Sequence, residues 1–253
     1  MKQAILFVIV ALCFCIQDVA LAPRQISVSA QDLASDDTLA KFVEALKKLI
    51  NDGDASGIFN IELNPLLDEL LVNVKDALIR NGMDPMDLDD ETLQLLGIVG
   101  SIKLTNGMLQ DTSTVAREGD VVVSYNSNTK RLTFNLPLTF KVLLFTYKYT
   151  TRVTLLTISG DVQGKIDDVS MNLVVAFDAN TKTFVLDDLS LKNSGKITVK
   201  FTGNGLVDWL TNAMTAVITT VLHPLIVAIL ESNFMVFGEE VVRAFNEYLH
   251  ANL

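Results

Sequence analysis

Arg131-Leu132-Thr133-Phe134-Asn135-Leu136-Pro137-Leu138-Thr139-Phe140-Lys141-Val142-Leu143-Leu144-Phe145 is the stretch on which the fold turns. Apolar side chains recur at every second position from Leu132 to Leu144, opposite Arg131, Thr133, Asn135, Pro137, Thr139 and Lys141. A period of two puts one set on a buried face and the other in water, as in an antiparallel sheet covered on one side. Pro137 falls in the wet register and cannot donate to a ladder, which points to an edge or a bulge. Carried to Phe145, the strand extends roughly 50 Å at about 3.3 Å per residue, whereas a usual strand has about 5–6 residues. A sheet of such strands has to curl around something.

The alternation continues downstream. Tyr147, Tyr149, Val153 and Leu155 oppose Lys148 and Arg152; Val169, Met171, Leu173, Val175 and Phe177 oppose Ser170 and Asn172; Ile197, Val199 and Phe201 oppose Lys196, Thr198 and Lys200. Asn128-Thr129-Lys130 and Asn180-Thr181-Lys182 each precede a strand and read as hairpin turns. Asn106-Gly107, between Leu104 and Leu109, carries a strong hairpin signal. The expectation is a meandering antiparallel sheet with one apolar face, ending at the glycines Gly203 and Gly205.

Helical patterns flank the sheet. Leu39, Phe42, Val43, Leu46, Leu49 and Ile50 recur at helical spacing, with Asp36 or Asp37 as the cap. A second helix spans residues 65–80, with Asn64 as cap, Pro65 at the first helical position, and Leu66, Leu67, Leu70, Leu71, Val74 and Leu78 as its stripe; Asn81-Gly82 ends it. Asp84-Pro85 and the acids up to Glu91 read as a linker. Residues 206–230 are apolar for the length of a spanning helix, but Asp208, Asn212, His223 and Pro224 interrupt them, and burial inside protein accounts for such a helix better than lipid does. Pro224 is expected to kink it. A final amphipathic helix, 236–250, carries Val241, Val242, Phe245 and Leu249. The predicted fold class is α+β: a long, strongly curved antiparallel sheet wrapped around a long C-terminal helix, with N-terminal helices.

Composition narrows the function. Lys2, the apolar run 4–16 and the small residues Ala20 and Ala22 have the form of a secretory signal over residues 1–22, leaving 23–253 as a single domain. Cys13 and Cys15 are the only cysteines of the 253 residues, so the mature chain has no thiol chemistry, cysteine metal site or disulfide. The net charge is −10, and residues 32–91 hold fifteen acids against five bases. An acidic chain without a basic stripe offers no footprint for nucleic acid and is repelled by anionic membrane surfaces.

Three segments resemble known families. Gly57-Ile58-Phe59-Asn60-Ile61-Glu62-Leu63-Asn64-Pro65-Leu66-Leu67-Asp68 resembles a segment of insect takeout and juvenile-hormone-binding proteins. Asp84-Pro85-Met86 followed by Gly97-Ile98 looks like the corresponding region of arthropod group 7 mite allergens, and Gly203-Asn204-Gly205-Leu206-Val207-Asp208-Trp209-Leu210 fits the same group. The resemblance implies the tubular lipid-binding superfamily: a curved sheet rolled around a long helix, an apolar tunnel, and ligands among lipids, terpenoids and lipopeptides. Takeout-type proteins usually keep an N-terminal cysteine pair, which this mature chain lacks, so the resemblance leans to the group 7 branch.

No catalytic constellation emerges. His223 lies in an apolar helix, where a satisfied structural role is the usual one, and His250 stands near the chain end. No Gly-x-Ser-x-Gly elbow, paired-histidine metal motif or phosphate loop occurs. Asp167-Asp168 and Asp187-Asp188 read as solvated turn residues. Residues 52–57 mimic the start of a calcium loop, but Glu62 falls at loop position eleven and Leu63 at twelve, where the bidentate glutamate belongs. No enzyme activity, cofactor or metal is expected.

The reading is therefore a secreted carrier or sensor of a hydrophobic small molecule or lipid, without stable membrane insertion and with its oligomeric state open. Phe134, Leu136, Phe140, Val142, Val153, Val175, Phe177, Trp209, Met214 and Val217 are the expected tunnel lining. Two other readings stand beside it: a protein-interaction or immune-recognition module with a closed core, and a single-pass membrane protein held by residues 206–230.

Overall fold

In the computed structural model, which describes residues 26–33, 35–51, 63–97, 99–203 and 205–252, three strands are far longer than usual. They are β6 (Arg131–Val153), β7 (Leu156–Asp178) and β8 (Thr183–Phe201), with 23, 23 and 19 residues. Short strands pair along the outer side of β6: β1 (Met86–Leu88) and β2 (Glu91–Gln94) through β3 (Gly100–Gln110), then β4 (Ala116–Arg117) and β5 (Val122–Asn126) directly. All pairings are antiparallel. Helices α1 (Ala30–Leu33), α2 (Asp36–Asn51) and α3 (Leu63–Arg80) precede the sheet. One rod follows it: α4 (Asp208–Val217), a π-helical turn (Ile218–Leu222) and α5 (His223–Asn252). This is the α+β class the alternation predicts.

The sheet curls because its pleat is broken along a crease. In β6 the even residues Leu132 to Phe140 point inward, and beyond the crease the odd residues Leu143, Phe145, Tyr147, Tyr149 and Val153 do so. The change falls at Lys141, opposite Asp168 of β7, which has φ +59°, and one strand further lies Gly195 of β8 with φ +77°. Left-handed residues turn the pleat over and bend the strand. A single apolar face through Leu144 is therefore incorrect: Val142 is half-buried and Leu144 is exposed. The acidic pairs Asp167-Asp168 and Asp187-Asp188 lie within strands, not turns; Asp167 pairs with Lys165 at 2.6 Å, and Asp187 with Arg131.

Beyond the crease, aromatic rings of β6 cover glycines. Phe145 lies opposite Gly164, Tyr149 opposite Gly160, and Tyr147 over Gly107 of β3. Missing side chains there let the rings pack onto backbone as the sheet closes. Asn106-Gly107 thus makes a bulge inside β3, with Asn106 at φ +53°, instead of a hairpin turn. The same left-handed Asn-Gly preference serves both purposes. The two Asn-Thr-Lys segments are hairpin turns: the side chains of Asn126 and Asp178 each accept two backbone N–H groups, and Lys130 and Lys182 take positive φ. Pro137 lies opposite the connection between β4 and β5, where the ladder is interrupted, and its carbonyl accepts from Glu118 N at 2.8 Å.

The rod fills the concave face. Met214, Val217, Ile218, Leu222, Ile226, Leu230 and Phe234 are buried in one cluster with Phe140, Phe145, Ile166 and Val169, and Phe234 meets Phe140 edge to face at 5.1 Å. Asp208–Ala251 is long and apolar enough to cross a membrane, and half of its most apolar window is buried within the protein. The helix does not break near residue 232 as the two-helix expectation held. The π turn directly precedes His223-Pro224, where a proline ring would clash with the carbonyl four residues back in a regular helix. Three rod side chains cover the free edge of β8: His223 Nε2 meets Ser194 O at 2.9 Å, Glu231 accepts from Leu191 N at 3.1 Å, and the Asn246 amide both accepts from and donates to the Phe184 backbone. These contacts occupy edge groups of β8 that a further strand would otherwise pair with.

At the N-terminal side, Ser35 rather than Asp36 or Asp37 caps α2, accepting from Thr38 N at 3.3 Å. Helix α3 ends in a Schellman motif, with Met83 N on Leu78 O, Gly82 N on Ile79 O, and Gly82 at φ +66°. Residues 84–91 hold β1 and the start of β2 rather than a linker. The expected signal segment 1–22, the calcium-like run 52–57 and Glu62 lie outside the described residues, as do the side chains of Leu49 and Ile50.

Candidate functional site

Amphipathic helices α2 and α3 have to bury one stripe each, and they do so across the polar-hairpin end of the roll. Between them, the sheet and the last turns of α5 lies a cavity of about 140 Å³. Helix α3 supplies Leu63, Leu67, Leu70, Leu71 and Val74, and α2 supplies Phe42. The sheet adds Phe134 and Leu136 from β6, Leu173 and Val175 from β7, and Phe184 from β8; α5 adds Val241, Val242 and Phe245. Among the described residues, every lining side chain is apolar. Phe42, Phe134, Phe184 and Phe245 form an aromatic cluster, the Phe42 ring lying 6.4, 5.9 and 5.8 Å from the other three. Such a wall offers contact area and no directional bond, so it selects by shape and hydrophobicity.

Helix α3 forms the roof, and two polar side-chain links hold its start to the sheet. Asn64 donates to Asp120 at 2.7 Å and accepts from Val121 N at 3.1 Å, so it ties the β4–β5 connection instead of capping its own helix. Arg117 of β4 grips Asp68 with two bonds, Nε to Oδ1 at 3.0 Å and a second nitrogen to Oδ2 at 2.8 Å. The Asp68 hydrogen bond raises the Arg117 pKa still further, so the guanidinium keeps its charge.

The structure places the expected lining residues in several settings. Phe134, Leu136 and Val175 line the cavity. Phe140, Met214 and Val217 are packed into the main core, and Phe177 into the aromatic cluster beside the cavity. Val153 and Trp209 line a second pocket of about 160 Å³ at the opposite end of the roll, with Thr151, Leu156, Ile158, Gly205, Val207 and Leu210. Val142 is half-buried at the crease. The middle of the rod is thus surrounded by side chains, and the wholly apolar cavity lies at its C-terminal end. The stripes of α2 and α3 and the Val241-Val242-Phe245 face belong to the wall; their periodicity is plain in the sequence, but only the fold brings the three stripes together.

Among the described residues, no candidate catalytic group lines this space. His223 is engaged with Ser194, and His250 is exposed. Among the described residues, no cluster of three or more His, Cys, Asp or Glu is placed to hold a metal ion.

The family model for group 7 allergens matches residues 62–241, which include the roof helix, the whole sheet and most of the rod. The chain belongs to the group 7 allergen family. No curated protein matches this family member. Among solved structures, lipopolysaccharide binding protein is similar at 15% identity, with 78% of this chain and 41% of that chain covered and a TM-score of 0.45. Takeout 1 of Epiphyas postvittana is similar at 20% identity, with 68% of this chain and 81% of that chain covered and a TM-score of 0.29. The group 7 chain spans less than half the length of the first of these two.

Proposed function

We propose that this protein is a secreted, non-enzymatic carrier or sensor of a hydrophobic small molecule or lipid, held in the cavity beneath α3. The observation that carries the reading is a built cavity whose walls, drawn from six separate elements, are wholly apolar. Such a void forfeits dispersion contacts along its lining, which an apolar guest restores. Burying that guest contributes about 25 cal/mol per Å² of its apolar surface. Phe134, Leu136 and Val175 are its proposed contacts on the sheet, with Leu71, Val241 and Phe245 opposite them.

Size sets the class of group that enters. A cavity of about 150 Å³ accepts benzene, so this one admits one ring, one isoprene unit or the end of an acyl chain. A longer ligand leaves its remainder outside or moves α3 outward. The signal-like residues 1–22, and cysteines confined to that segment, support secretion.

The test is titration with a linear polyene fatty acid whose fluorescence rises when it leaves water. Wild type takes up about one molecule per chain, and Val175→Phe, which places a ring in the void, weakens uptake at least tenfold while retaining its unfolding midpoint. A protein that takes up nothing, or a filled variant that binds as well as wild type, overturns the proposal and favours the closed-core interaction module.

A further inference from the structure

The two ends of the roll differ in chemistry. One carries the polar hairpins Asn128-Thr129-Lys130 and Asn180-Thr181-Lys182, which touch through Asn180 Nδ2 and Thr129 O at 3.1 Å. The other gathers the β6–β7 hairpin, the β2–β3 turn, which lies beside it because Gly100 pairs with Val153, and the entry to α4. There Leu155 is 100% exposed, Val99 88%, Leu156 59%, Leu96 53% and Trp209 49%. Leu156 and Trp209 also line the second pocket, with Val153 and Val207.

Two features show that this tip is not ordinary loop surface. Residues 95–101, 151–159 and 205–210 contain only Arg152 and Asp208 as ionisable side chains, one of each sign, on a chain of net charge −10. The tip carries no net charge, and the acid excess of the chain lies in residues 32–91. The hairpin also goes against turn chemistry. Val153 pairs with Leu156 across the two-residue turn Thr154-Leu155, and Thr154 takes φ +53°, a position suited to glycine or asparagine. The sequence places a branched residue in a left-handed turn and a bare leucine beside it, at a cost in stability with no packing return.

We propose that this tip is a docking surface for a zwitterionic lipid surface, entered by Leu155, Leu156, Val99 and Leu96, with Trp209 at the level of the headgroups. Three protruding turns suit a fluid apolar phase, which closes around each side chain, better than a preformed protein groove. Tryptophan favours the boundary between hydrocarbon and water. The missing charge selects the lipid: a basic tip would seek anionic headgroups, whereas a neutral tip on an acidic chain partitions into phosphatidylcholine and is repelled from phosphatidylserine. Docking needs nothing in the cavity beneath α3, so it stands or falls apart from the carrier reading.

Trp209 is the only tryptophan of the chain and reports directly on the tip. The full-length mature protein is mixed with phosphatidylcholine vesicles, and flotation is measured together with quenching of Trp209 by lipids brominated along the acyl chain. The expected result is co-flotation, a blue-shifted and quenched Trp209, and at least a tenfold loss of binding in Leu155→Asp and in Val99→Asp. The paired change Thr154→Gly with Leu155→Asn supplies the residues the turn prefers; it is expected to raise the unfolding midpoint and still lose vesicle binding. Absence of flotation overturns the proposal, as does binding confined to phosphatidylserine vesicles or undiminished in Leu155→Asp. A concentration-dependent dimer that Leu155→Asp dissolves, without any vesicle binding, assigns the tip to a second copy instead and equally overturns it.

Discussion

Phe145 packs its ring onto the bare backbone of Gly164, the residue directly opposite it on the neighbouring strand, so closely that a Cβ on Gly164 would stand 1.9 Å from the ring. The pair lies just beyond the crease, and Phe145 is fully buried in the main core. Gly164→Ala forces the ring off its place among packed neighbours, which costs about 1–3 kcal/mol. Urea unfolding should show the lowered midpoint. Phe145→Leu alone leaves a void and also destabilises, but the double variant should be more stable than the sum of the two single losses predicts. Strict additivity would show that the ring and the glycine are not coupled.

The clamp between Arg117 and Asp68 controls the roof of the cavity. Arg117→Met keeps the stem of the side chain and removes both bonds to Asp68. Amide hydrogen exchange should then quicken across α3, from Leu63 to about Val74, while β6 and β7 keep their protection. Ligand association and dissociation should both accelerate. Unchanged exchange in α3 would mean that burial alone holds the roof.

Glu91 gives a pH signature. Burial raises its pKa, with the nearby Asp89 charge adding to the effect. A carboxyl whose folded pKa exceeds its unfolded value binds more protons when folded, so its stabilising contribution is complete below the unfolded value of about 4.3 and is lost as pH rises through the folded one. At pH 7 the ionised Glu91 therefore works against the fold. Glu91→Gln should be more stable than wild type at pH 7, with the gap closing as the pH is brought below about 4. Urea midpoints at the two pH values decide it; a gap that widens on acidification reverses the assignment.

Much of the architecture was legible because it rests on periodicity. The alternation after Arg131 specifies long strands, long strands demand curvature, and the apolar run before Pro224 supplies the rod. What the pattern could not convey was where the pleat turns over. Leu143-Leu144-Phe145 is apolar at three successive positions, so either parity satisfies it, and only the left-handed Asp168 opposite Lys141 decides. Asn106-Gly107 was ambiguous for a related reason, since a bulge and a hairpin ask for the same residues. The site was less legible than the fold. Met214 and Val217 have the right chemistry to line a ligand, yet they meet the sheet and are packed solid, whereas Leu71, Val74 and Phe245 face a void because three helices cannot fill the end of a curved sheet. Cavities are made by misfit between elements, and misfit has no sequence period.

The most direct test of the central claim is native mass spectrometry of the protein secreted by expressing cells, repeated after organic extraction. One apolar molecule per chain, lost on extraction and restored on readdition to wild type but not to Val175→Phe, is the predicted result. A bare polypeptide mass before and after extraction, with no apolar molecule taken up on readdition, would contradict it.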